Sequence, residues 1–156
     1  MNPLATAPAT VQGIHGSHFL GSLTLSSLSL ACGIVMLAAW RGAKRLTLLR
    51  TPDGAATWAL VTGSVWMAAG ASWGSAAGGI AAVPTSIIAG GDAGNVGAGG
   101  TALVLTLVAY IWPWKKTLLP TILGIGCAVT YAAAGGIWGV VVNGIRVVVG
   151  QVTGGA

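Results

Sequence analysis

The seven basic side chains of this chain are not spread along it. Six fall in two short clusters: Arg41, Lys44, Arg45 and Arg50 in one, Lys115 and Lys116 in the other. Only Arg146 stands apart. Long uncharged stretches lie between and around the clusters, among them residues 19–40, 54–91 and 97–114. A cation at the centre of a bilayer costs about 3 kcal/mol or more, whereas one at headgroup level costs little. Charges gathered this way mark where an apolar chain emerges into water.

Composition points in the same direction. The chain is 54% hydrophobic and 6% charged, against about a quarter charged in a soluble domain. Mean hydropathy is +0.85. So little charge does not keep a soluble monomer of this size dispersed. The competing class is an assembly subunit that buries its apolar surface against copies of itself. The net charge of +5 is not a nucleic-acid footprint, because seven cations in a chain this apolar do not build a basic face. No direct nucleic-acid partner is expected.

The fold class expected is all-α, a polytopic membrane helix bundle of about four transmembrane helices. Residues 1–18 carry no Lys or Arg and read as a disordered tail outside the cytoplasm. His15 and His18 are three apart but lack a third ligand nearby, so no metal site is assigned. The spans are read at about 19–40, 55–75, 97–114 and 117–140. A helix of 22 residues covers about 33 Å, enough for a hydrocarbon core of about 30 Å. The first run is too long for the core of a signal peptide.

Residues 76–96 are rich in glycine and contain Pro84, and read as a re-entrant or outer loop. The run of glycines at 90–100 lacks the strand and lysine of a phosphate-binding loop. After 140 the reading is divided. Asn143-Gly144 between β-branched runs is a hairpin signal, while a helix extended to about Val149 is favoured. Residues 150–156 read as a flexible tail.

Two spans separate the two basic clusters, so both clusters face one compartment. The positive-inside rule makes it the cytoplasm and puts both termini outside. A five-span map would place the clusters on opposite faces. Tryptophans agree: Trp40, Trp58, Trp112 and Trp114 lie near the basic ends, Trp73 and Trp138 near the other ends, and Trp66 mid-span. Indole favours the interface because one edge donates a hydrogen bond and the rest is apolar. In "WPWKK", Trp112 and Trp114 anchor the exit and Lys115 and Lys116 stay in the headgroups.

In lipid, helices associate through small residues that let backbones approach. Three small-residue stripes fit that role: Ser22, Ser26, Ser29 and Gly33; Gly70, Gly74 and Gly78; Gly124, Ala128, Ala132 and Gly136. A face left over after monomer packing favours a homo-oligomer. Buried free thiols are expected for Cys32 and Cys127. The only acids, Asp53 and Asp92, fall in loops. No carboxylate pair, metal motif or nucleophile–base trio is present, so a non-enzymatic protein without a cofactor is expected.

The Ala/Gly-rich, lysine-poor style, the length and the span pattern loosely resemble small multi-spanning membrane proteins of actinobacterial plasmids and phages. Those include the plasmid-spread proteins of conjugative clusters. The resemblance rests on no motif and carries over no residue. It implies a structural or pore component of a complex in the cell membrane, with lipid and membrane-complex proteins as partners, in conjugative DNA transfer. Two other readings suit the size: a holin-like pore-forming lysis protein, and a pilin-like filament subunit built on two apolar helices around Lys115-Lys116.

Overall fold

The computed structural model describes residues 24–90 and 97–152, and these are all-α, with six helices and no strand among them. They are α1 (Leu25–Trp40), α2 (Pro52–Ala69), α3 (Ala71–Gly90), α4 (Gly97–Ile111), α5 (Leu118–Ala134) and α6 (Gly136–Val152), with a single 3-10 turn at Leu48–Arg50. The 1–18 tail, Ser22 and the last four residues lie outside the described residues.

Local chemistry explains the starts. Thr24 caps α1, its hydroxyl accepting from the Ser27 N–H at 3.2 Å. Thr51 caps α2 in the same way through the Gly54 N–H, with Pro52 at the first helical position and Asp53 in the first turn. Proline there gives up an N–H that has no helical partner anyway, and the acid meets the positive end of the helix dipole.

Two of the expected spans are broken. The 55–75 segment ends its helix at Gly70 and the 117–140 segment at Gly135. Both glycines adopt nearly one conformation, φ 64° with ψ −157° and φ 64° with ψ −154°. That region of backbone space is essentially closed to residues with a Cβ. Between α5 and α6 the chain turns by 115°, so residues 136–140 do not continue the fourth span. As a result, no single described helix is both long and apolar enough to cross a membrane alone; α5 and α6 together reach that length and composition only across the bend.

The segment read as a re-entrant or outer loop, 76–96, is helical over its described part: residues 71–90 form one helix that passes through Pro84. An interior proline strips a carbonyl of its partner and normally kinks the helix. Next to it Thr85 donates its hydroxyl to the Ala81 carbonyl at 2.8 Å and Ser86 to the Val83 carbonyl at 2.9 Å. The proline is buried against α5, where a Cβ on Gly126 would sit 3.2 Å from its ring. The tail beyond 140 is helical to Val152, with no hairpin at Asn143-Gly144.

The helices divide into two matched halves, α1–α2–α3 and α4–α5–α6. Ala68-Ala69-Gly70 with Trp73-Gly74 recurs 65 residues later as Ala133-Ala134-Gly135 with Trp138-Gly139. Gly79-Ile80 and Gly144-Ile145 continue the match at the same spacing. In α1 the buried positions Ser29, Cys32 and Met36 have the spacing of Ala102, Leu105 and Ala109 in α4. Each half is a helical hairpin followed, after the glycine, by a third helix. α5 packs most extensively on α2, and the third helix of each half packs on the second helix of the other.

Candidate functional site: the seam between the matched halves

The seam of α2 and α5 is the centre of the molecule, and small residues make it. A Cβ on Gly124 would run into the Ala56 carbonyl and lie 2.8 Å from the Ala59 Cβ. A Cβ on Gly63 would lie 2.8 Å from that of Ala128. Ala59 matches Gly124 and Gly63 matches Ala128 in the 65-residue repeat. Matched residues touch at two successive turns, so the two helices run side by side in the same direction. The loops that precede them therefore lie at one end of the seam.

That end gathers the cations. Arg41, Lys44, Arg45 and Arg50 sit exposed in the first loop, Lys115 and Lys116 exposed in the second. Trp112 and Trp114 adjoin them, ring centroids 6.4 Å apart. The Trp114 indole N–H donates to the Val108 carbonyl at 3.0 Å and folds the ring back over α4. The hydroxyls of Thr57 in α2 and Tyr110 in α4, 3.1 Å apart, tie the halves together at the same end.

The two glycine breaks form the other end, and each is braced alike. Trp66 stacks on Trp73 with centroids 5.5 Å apart, and Tyr131 on Trp138 at 4.9 Å. The first aromatic of each pair sits four residues before its glycine and hydrogen-bonds to the first helix of its half. The Trp66 N–H donates to the Ser29 carbonyl at 3.0 Å. The Tyr131 hydroxyl pairs with that of Thr106 at 2.6 Å. Gly33 stands where Thr106 stands in the second half, and a Cβ there would meet the Trp66 ring at 3.4 Å. Trp66 is thus a brace beside a break rather than a mid-span residue.

Not every stripe residue meets a partner. Ser29 is buried and donates to the Leu25 carbonyl, while Ser26 is exposed. Gly124 and Ala128 are buried in the seam, Ala132 is half-buried, and Gly136 lies past the break with φ 53°. Gly70 is the break itself, so it does not share a helix face with Gly74 and Gly78. A Cβ on Gly78 would meet nothing within 4 Å.

A few hydroxyls are buried among the apolar side chains. Ser64 and Thr130 are buried and donate to the carbonyls one turn back, at 2.9 Å each. Thr62 is fully buried, and its hydroxyl has no hydrogen-bond partner among the described residues. Cys32 and Cys127 are free and buried. No group of three or more His, Cys, Asp or Glu comes together among the described residues.

A separate cleft of about 300 Å3 opens between α3, α4 and α5, lined by Val83, Pro84, Ile87, Ile88, Val104, Leu105, Val108, Trp114, Leu119, Ile122 and Leu123. The repeat, the paired breaks and this cleft were missed in the sequence. The signal for the first two is the recurrence of Ala-Ala-Gly with Trp-Gly three residues on, which a search for self-similarity picks out. The chain matches no protein-family model, no curated protein and no solved structure.

Proposed function

We propose that this chain is a non-enzymatic integral membrane protein that self-associates and serves as a structural or pore component of a complex in the bacterial cell membrane. The observation that carries the reading is the polarity of the bundle. Its outer faces are apolar: Leu30, Ile34 and Leu37 on α1, Leu103, Leu107 and Ile111 on α4, with Ile87 72% and Ile137 79% exposed. Its interior, mainly alanine and other apolar residues, also holds Ser29, Thr62, Ser64, Thr121 and Thr130. Single exposed leucines mean nothing, but soluble monomers rarely expose long apolar faces.

Helix length limits this reading. At 1.5 Å per residue α2 and α5 are about 27 and 26 Å long and α1 and α4 about 24 and 23 Å, so each falls short of a hydrocarbon core of about 30 Å and needs the adjoining residues to complete a crossing. In this reading α1, α2, α4 and α5 cross, and the two basic loops face the cytoplasm. α3 and α6 fold back from the outer ends as re-entrant helices, their backbones covered in part by α5 and α2. The open sides of Gly78, Gly79, Gly139 and Gly144 leave faces for a second copy. The extensive packing of α5 on α2 favours the whole chain as the unit over a filament made from the α4–α5 hairpin. Conjugative transfer rests on the resemblance alone.

Fractionation tests the reading. The protein is expected to stay with membranes through an alkaline wash and to need detergent for extraction. A monodisperse species in plain buffer would overturn it. Dye leakage on expression would favour the holin, and detergent-free release into the culture fluid the filament. Gly78→Leu is expected to lower the oligomeric state in detergent without unfolding the monomer.

A further inference from the structure

The cleft between α3, α4 and α5 belongs neither to the seam nor to the paired breaks. Every side chain lining it is apolar. Leu105 and Leu123 form its buried inner wall, and Val83 and Ile87 its exposed rim. Trp114 stands at the end nearest the second basic loop, and Lys115 and Lys116 follow it directly, both exposed.

In the other half the described residues differ at two lining positions. Leu105 and Leu123 correspond there to Cys32 and Trp58. The Trp58 indole reaches the Cys32 carbonyl at 3.4 Å, and the void beside it holds only about 10 Å3. A leucine thus lines the cleft where the first half has a tryptophan.

We infer that this cleft holds an acyl chain of an anionic phospholipid whose phosphate is met by Lys115 and Lys116. The lining offers no hydrogen-bond partner, so the buried part of the occupant must be hydrocarbon; a peptide would leave its N–H and C=O groups unpaired. Lys115 and Lys116 are both exposed and supply the positive charge that an anionic headgroup needs. Basic sites between helices at the cytoplasmic surface select anionic headgroups in this manner. The inference rests on the membrane reading proposed above.

Native mass spectrometry of the full chain in non-ionic detergent tests it, with phosphatidylglycerol and phosphatidylcholine of equal chain length as probes. Phosphatidylglycerol should be retained at roughly ten-fold lower concentration. Lys115→Gln with Lys116→Gln should abolish the preference and leave weak, equal retention of both lipids. Ile122→Trp, or Val108→Trp at the rim, should lower retention of both, with thermal unfolding confirming that the variant is folded. Inorganic phosphate alone should not compete. Equal retention by the wild type, or a preference that survives the lysine substitutions, overturns the inference. A chain soluble without detergent sinks the membrane reading itself; a membrane-embedded chain with no lipid preference sinks this inference alone.

Discussion

Gly63 and Ala128 are 65 positions apart, occupy matching places in the two halves, and face each other so closely that a Cβ on Gly63 would lie 2.8 Å from that of Ala128. One turn earlier Ala59 and Gly124 repeat the relationship with the glycine on the other helix. A glycine and an alanine alternate across the seam, and neither helix can swell without pushing the other away.

Gly124→Val should therefore destabilise the protein strongly. The obstruction is the Ala56 backbone, which no rotamer change relieves, and overpacking of this kind costs about 1–3 kcal/mol or more. Gly78→Ala, into open space, should gain a few tenths of a kcal/mol from helix propensity or leave stability unchanged. Thermal unfolding in detergent, followed by circular dichroism, measures both.

The paired breaks should respond alike. Gly70→Ala and Gly135→Ala place a Cβ on backbone at φ 64° with ψ near −155°, a region that costs about 1–3 kcal/mol for such a residue. Similar losses at both sites, by the same unfolding measurement, are expected from matched halves. A loss at one glycine and none at the other would show that the equivalence ends at the backbone.

Two buried threonines should behave oppositely. Thr62→Val removes a hydroxyl that has no partner and should raise stability by about 1 kcal/mol. Thr130→Val removes one that donates to the Gly126 and Cys127 carbonyls and should lower it by about 0.5–1.5 kcal/mol. Equal effects would place a partner on Thr62 that the described residues do not supply.

The sequence announces the helical class and the two basic loops plainly, because uncharged runs and clustered cations obey a simple solvation rule. It conceals the breaks. With 26 glycines in the chain, Gly70 and Gly135 look like any others, and hydropathy runs on unchanged across both. Glycine and Pro84 together suggest a re-entrant or outer loop at 76–96, yet residues 71–90 form one helix packed on α5. Gly70, Gly74 and Gly78 form a ladder on paper only, since a helix must continue for fourfold spacing to define a face. Trp66 and Tyr131 are recognisable as braces only once their halves are aligned.

The most direct test of the membrane account is the accessibility of single cysteines in intact cells, in a background with Cys32 and Cys127 replaced by alanine. Cysteines at Ala43 and Thr117, in the two basic loops, should resist an impermeant thiol reagent until the cells are opened. Those at Ser72 and Ile137, just past the glycine breaks, should react from outside. Labelling of Ala43 and Thr117 from opposite sides would contradict the account.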